Sequence, residues 1–353
     1  MRAAVGQFHR PDPEILAFAA QLGVEGVQIN TPMLPGERRW EVDDLVRLRR
    51  EVEAYGLRIE AIENVPRSFY DQVMLGGPER DLQLEDYAAT VRHVGEAGIP
   101  LLGHHFTPSW VWRTSFDTPA RGGALVTSFD LAQAERERHV LVYKVDPEIG
   151  AHTSVRYELD DPPVDEATMW RHYADFLGAA LPAAEASGVR LALHPADPPL
   201  AGLGGATRLF RSVESFERAA ALADSPAWGL NLCLGCCSEM PGGAENVYRM
   251  IERFGPAGQI CYVHFRDVQG SLPSFAECFI GEGNFDPAEV LRALARTGFD
   301  GFLLDDHVPH MTGDTPWGHR SRGYVVGYLQ GMIRMLERER RADVREPTEA
   351  AAA

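Results

Sequence analysis

The sequence predicts an α/β chain folded as a (β/α)8 barrel, and three observations carry that prediction. Eight short apolar runs recur along the 353 residues, segments of helical period separate them, and polar side chains gather where the later runs end. Alternation of strand and helix favours a parallel sheet, and eight strands favour closing it into a barrel.

The runs span 3–8, 26–30, 58–63, 101–105, 190–194, 229–233, 260–264 and 301–305. A run that is apolar on both faces suits a parallel strand covered by helices. Predicted helices lie at 42–55, 84–97, 170–186, 213–222, 244–254 and 287–297. The phrases AYGLRIEAIE, EAGIPLLGHH and EASGVRLALH share one grammar. In each, a helix ends at glycine and a short strand then runs to polar residues.

The stretch 107–163 interrupts this rhythm and reads as an insertion after the fourth strand, a lid or interface segment on the active-site face. It contains a charged helical piece at 132–138 and a strand-like run at 140–145. Its Trp110 and Trp112 either contact a substrate or another subunit, or pack over the barrel mouth. Residues 1–338 are expected to form a single catalytic barrel domain, and 339–353, which lack an apolar period, a disordered tail.

Composition bounds the function. A hydrophobic fraction of 45% with 24% charged residues is that of an ordinary globular chain, so neither fibre nor disorder is indicated. A net charge of -17 argues against nucleic acid as a partner, because phosphate-backbone binding needs a basic footprint. No apolar run is long enough to span a bilayer and no cleavable leader is evident, so no membrane partner is expected and the cytoplasm is the default location. The five cysteines, an odd number confined to the C-terminal half, do not read as a disulfide framework.

His194, Cys233, His264 and the Asp305-Asp306-His307 group fall at the ends of the fifth to eighth runs. In this architecture active sites are built at those ends. Two imidazoles, a thiolate and a carboxylate converging on one mouth can bind a divalent ion. Cys233 and Cys236 form a CxxC, but a structural zinc site needs a second pair. Arg266, two residues past His264, offers forked donors for a carboxylate or phosphate, or a plain salt bridge. The HPADPP turn would hold His194 rigidly, with Asp197 as a turn residue. GLGGATRLF, at 202–210, lacks the Lys-Ser/Thr of a phosphate loop and reads as a mobile loop.

With IENVP at 62–66, FTPSWVWRT from Phe106, VRLALHPADPP, LNLCLG, VHFRD and DDHVPHM, the chain resembles the mannonate dehydratase family, of the xylose-isomerase-like group of TIM barrels. The resemblance runs from about Gly26 to Leu336. It implies a hydro-lyase of hexuronate catabolism that converts the sugar acid D-mannonate into 2-keto-3-deoxy-D-gluconate and water. By that resemblance His194, Cys233, His264 and Asp306 match the metal ligands, Arg266 a substrate-binding arginine and His307 a catalytic histidine. The metal is expected to be Mn2+, with Fe2+, Co2+ or Zn2+ as other candidates, and the protein a homo-oligomer. His105, Asn64 and Trp317 are further expected substrate contacts.

One departure stands out. Counting back from GYLQGM places Trp317 where the family carries a catalytic tyrosine, and indole has no acid/base capacity. His310, His319 and Tyr324 are the candidates to take over that proton transfer. The indole leaves two alternatives open: a sugar or sugar-acid isomerase or epimerase of the same barrel group, and a non-catalytic sugar-acid-binding homologue.

Overall fold

Strands buried on both faces must find neighbours on both edges as well, and closing the sheet supplies them. The computed structural model describes residues 1–109, 111–145, 152–159, 164–202 and 207–345. Its staves are β1 (Arg2–Ala3 and Val5–Phe8, interrupted at Ala4), β2 (Gly26–Ile29), β3 (Arg58–Ile62) and β4 (Leu101–His104). They continue as β5 (Arg190–Leu193), β6 (Trp228–Cys233), β7 (Ile260–His264) and β8 (Phe302–Leu304). The first piece of β1 pairs with β8 and the second with β2, so nine hydrogen-bonded parallel segments close into eight staves.

The helices cover the outside. Val42–Glu53, Arg80–Glu96, Glu166–Ser187, Val213–Ala223, Ala244–Phe254 and Pro287–Arg296 lie within a few residues of the expected spans. Their starts carry local instructions: Asp165 caps Thr168, Ser212 forms a capping box with Ser215, and Asp286 precedes a first-turn proline. Pro13–Gln21 is an additional helix, capped by Asp12. Its apolar AFAA centre hides the amphipathic period that exposes longer helices. The last helix, His319–Arg345, continues past residue 338, and Glu339 lies 3.2 Å from Arg292. Residues 346–353 and Trp110 lie outside the described residues.

The insertion is built mainly of strand. His152–Glu158, His139–Val145 and Trp112–Arg113 form one antiparallel sheet. Ser115–Pro119 and Leu125–Asp130 join the hairpin Val268–Ser271 and Ser274–Glu277, which follows β7, in a second. The helical piece is found at Leu131–Glu137. Trp112, Phe129, Val142, Val268 and Phe275 make a small core separate from the barrel's, so the insertion is held by its own apolar contacts against the β7 hairpin. Trp112 is fully buried there, which decides for packing over the mouth. Leu125 and His310 exchange backbone hydrogen bonds of 3.1 and 2.7 Å, tying the insertion to the loop after β8. Among the described residues no helix is long and apolar enough to cross a membrane.

Candidate functional site

Register brings the predicted ligands to one level. Cys233 and His264 are direct cross-strand partners at the ends of β6 and β7, and His264 pairs with Leu304, two residues before Asp306. His194 follows β5 directly, its N–H donating to the His104 carbonyl at 3.0 Å. One ligand atom from each of His194, Cys233, His264 and Asp306 lies within 4.8 Å of the other three. Ligands about 2.0–2.3 Å from a common ion would have such spacings.

The individual atoms also fit a cation. His194 Nδ1 donates to the Pro195 carbonyl at 2.7 Å, which leaves Nε2 as its ligand atom. His264 Nε2 lies 3.0 Å from Glu63 Oε2, whereas its Nδ1, buried and without a hydrogen-bond partner, faces Asp306 Oδ2 at 3.6 Å. A buried orphaned nitrogen beside a thiol and a carboxylate is what a metal-binding imidazole presents, and the carboxylate behind it is the usual second partner. Burial alone would raise the Cys233 thiol, but the Cys236 contact, Arg266 and the two imidazoles hold it well below its ordinary value, as thiolate. Burial likewise opposes ionisation of Asp306, yet His307, His264 and Arg266 keep its carboxyl well below the usual range. The four residues therefore suit a divalent metal ion.

Glu63 follows β3 and forms the floor. It accepts from Gln7 Nε2 at 3.0 Å and from Gln28, and it pairs with His264 on one side and His105 on the other, the latter at 3.3 Å. Glu63, His105 and His194 make a second triplet of metal-ligand types. His194 has only one free nitrogen, so a single ion can use it, and the four-residue set claims it. Glu63→Gln is expected to weaken metal binding about 10- to 100-fold, because His264 loses the partner that fixes its tautomer. Competition with a chromogenic chelator measures this; unchanged affinity would mean that His264 is oriented by other contacts.

The expected substrate contacts separate in space. His105 stacks on His194 with ring centres 3.9 Å apart, and both line the cavity into which Asp306, His307, His310 and Trp317 also project. Burial, then the neighbouring His194, lowers His105 to about 4, so it is neutral at pH 7. Asn64, with a φ of 98°, lines the adjoining cavity instead. Tyr324 lines neither cavity; it sits on the last helix against Phe279 and Tyr328. His319 is also turned away, its Nδ1 2.6 Å from the Thr315 hydroxyl. Trp317 donates its indole N–H to the Gln7 carbonyl at 3.1 Å and packs edge-on against Phe8 and Phe18.

Arg266 occupies a different position from an arginine waiting for substrate. Its Nε reaches Asp306 at 2.9 Å, Nη1 reaches Glu239 and Glu277, and Nη2 reaches Asp197 at 2.7 Å and the Cys236 sulfur at 3.2 Å. All five N–H donors are engaged and the residue is buried. The fork meets carboxylates, as expected, but they are the protein's own. Arg113, from the insertion, is its twin: Asp197 and Glu277 bind both guanidinium groups. Asp197 is thus far more than a turn residue. The triplet Asp197, Cys236 and Glu239 is filled by these two side chains, which leaves no place for a second cation.

His307 is aimed by the same network. Its Nδ1 lies 2.9 Å from Glu277 Oε1, on which Arg113 Nη2 also converges at 2.7 Å. Arg113 Nη2 is 3.2 Å from Nδ1 as well, but the nearer carboxylate decides that Nδ1 carries the proton. The Nε2 atom is then the proton-exchanging one, and it lies 3.8 Å from Asp306 Oδ1. Glu277, Arg113, Glu239 and Glu63 were not among the expected site residues. A faint signal existed for Glu63, since it closes the third run just as His105 and His194 close the fourth and fifth.

Comparison with known proteins bears on the chain as a whole. A mannonate dehydratase of Lactococcus lactis subsp. cremoris is 27% identical over 348 residues, covering 93% of this chain and 96% of that protein. The crystal structure of mannonate dehydratase from Streptococcus suis serotype 2 superposes with a TM-score of 0.79 at 25% identity, covering 94% of this chain and 93% of that one. A xylose isomerase-like TIM barrel protein from Mycobacterium smegmatis, 14% identical with a TM-score of 0.54 over 94% and 97% of the two chains, shares the fold. Residues 1–343 match the family described as D-mannonate dehydratase (UxuA). With the barrel superposing on a mannonate dehydratase and the family match running nearly the full length, the chain belongs to the D-mannonate dehydratase family.

Proposed function

We propose that the protein is a metal-dependent hydro-lyase that converts D-mannonate into 2-keto-3-deoxy-D-gluconate and water. The observation that carries the reading is the meeting, in one cavity, of the His194–Cys233–His264–Asp306 quartet with a histidine whose outer nitrogen is free. A bound divalent ion supplies Lewis-acid stabilisation of the negative charge that develops next to the substrate carboxylate. Four protein ligands fill a tetrahedral zinc centre, whereas Mn2+, Fe2+ and Co2+ accept more, so Mn2+ is the ion we place first.

Dehydration removes a proton from C2 and hydroxide from C3; the resulting enol takes up a proton at C3 and becomes the 2-keto acid. The protein must therefore accept one proton and deliver one to the departing oxygen. His307 can do either through Nε2, because Glu277 retains the proton on Nδ1 in both states. His310 is the other imidazole on the cavity that is not assigned to the metal or stacked on one of its ligands. Partial desolvation lowers its pKa although the residue keeps an exposed edge, which favours the neutral, proton-accepting form. Trp317 contributes packing and a wall and transfers no proton, and the pair of histidines makes a phenol dispensable. Dehydration is favoured over isomerisation by the family match as well as by this pairing.

The test is an NMR assay of the metal-reconstituted protein with D-mannonate beside other aldonates and aldoses. Metal-dependent appearance of 2-keto-3-deoxy-D-gluconate is expected, reduced about 10²- to 10⁴-fold in His307→Ala. An isomer of unchanged mass, or solvent-deuterium exchange without loss of water, would overturn the dehydratase reading.

A further inference from the structure

We propose that Arg322 is the anchor for the anionic end of the substrate, a role that Arg266 is too fully engaged to play. The proposal rests on the sugar-acid reading only in taking the ligand to be a polyhydroxy carboxylate. Of the arginines around the mouth, Arg322 alone among the described residues lines the cavity onto which His194 and Asp306 open. It is only 6% exposed. Its Nε donates to the Trp317 carbonyl at 2.8 Å, and Nη1 donates to Asp305 and, at 3.4 Å, to the Asp306 carbonyl. Three of its five N–H donors are thereby used.

The two hydrogens on Nη2 have no protein partner among the described residues, and this nitrogen is absent from the polar atoms shut away from solvent. An almost buried guanidinium that keeps one edge unpaired, and open to a cavity, is a prepared donor for a carboxylate or a hydroxyl. It is also held rigidly. The guanidinium carbon lies 4.9 Å from the centre of the Trp317 ring, which is itself fixed by its bond to Gln7 and by Phe8 and Phe18. Trp317 is then a shelf for the arginine, a task that needs a broad apolar face and no acid/base chemistry. The contact to the Asp306 carbonyl puts this donor edge on the same wall as the metal-binding carboxylate. An acid group can therefore meet Arg322 while neighbouring hydroxyls face the ligand quartet.

The experiment is calorimetric titration of the Mn2+-loaded protein with a panel of hexonates, D-mannonate included, and with the corresponding neutral alditols. Arg322→Gln leaves Asp305 buried without its cation, so the double variant Arg322→Gln/Asp305→Asn, which removes both charges, is titrated beside it. Both are expected to bind the preferred hexonate about 10- to 100-fold more weakly while the alditol affinity is unchanged. Arg322→Lys should recover part of the loss. Arg67→Gln, in the adjoining cavity, should behave as wild type. Wild-type hexonate affinity in the folded double variant would overturn the proposal, as would a wild-type protein that holds no hexonate more tightly than its alditol, or transfer of the effect to Arg67→Gln. A preference for a hexonate other than mannonate would sink the mannonate assignment and still support Arg322.

Discussion

Asp306→Ala is expected to eliminate metal-dependent turnover, with kcat/KM falling by at least about 10³-fold, a loss of roughly 4 kcal/mol in transition-state stabilisation. The substitution removes one of four ligands and the only carboxylate among them. It also leaves His264 Nδ1 facing a void and takes from Arg266 the acceptor of its Nε. Metal content by plasma emission spectrometry, read beside the NMR assay, checks the result: substoichiometric metal and no 2-keto acid. Full occupancy with undiminished turnover would show that the ion sits elsewhere. Cys233→Ser serves as a milder comparison, since it keeps a polar atom near the same place but withdraws the thiolate.

Arg266→Leu is the second large effect, and it is predicted on stability as well as activity. Asp306, Asp197 and Glu277 meet this one guanidinium in the interior, beside a Glu239 whose carboxyl burial pushes well above the usual range, and Arg113 with the imidazoles of His264 and His307 would be left to offset them. Taking one partner from a buried charge network costs about 3–5 kcal/mol, because the carboxylates left behind are unsolvated and have lost much of their compensating positive charge. Urea unfolding of the metal-free protein isolates this effect from metal binding. An arginine used only to grip substrate would leave the unfolding midpoint where it was, so an unchanged midpoint would return Arg266 to that role. A loss of stability together with lowered metal affinity is the outcome expected of a positioning residue that reaches the metal through Asp306.

Much of this was readable in the chain. Strand boundaries were placed within a residue or two because most runs are short and largely apolar and give way to polar, Gly or Pro residues at one or both ends. The ligand quartet was legible because a parallel barrel sends the ends of successive strands to one rim, so polar residues there must meet. His307 and His310 were legible for the same reason, lying just past the eighth strand. Tyr324 was misplaced by that reasoning. It lies five residues into the helix that starts at His319, and its rotation about the helix axis carries it to Phe279 and Tyr328, away from the mouth.

The sequence by itself determined the barrel, the order of its staves and the identity of the four residues that can hold a metal, since those follow from local pattern and from the direction of strands. Only the tertiary structure decided what surrounds them. Arg113 and Glu277 come to Arg266 and His307 from the insertion and from the hairpin after β7, 164 residues apart in the case of their mutual contact. Glu63 reaches His264 from the opposite side of the barrel. Which arginine is consumed by the protein's own carboxylates and which keeps an edge for a ligand depends on where every neighbouring donor and acceptor lies. Hydrogen-bond capacity is finite and is settled by three-dimensional neighbours, and so Arg266 became a strut and Arg322 the open hand.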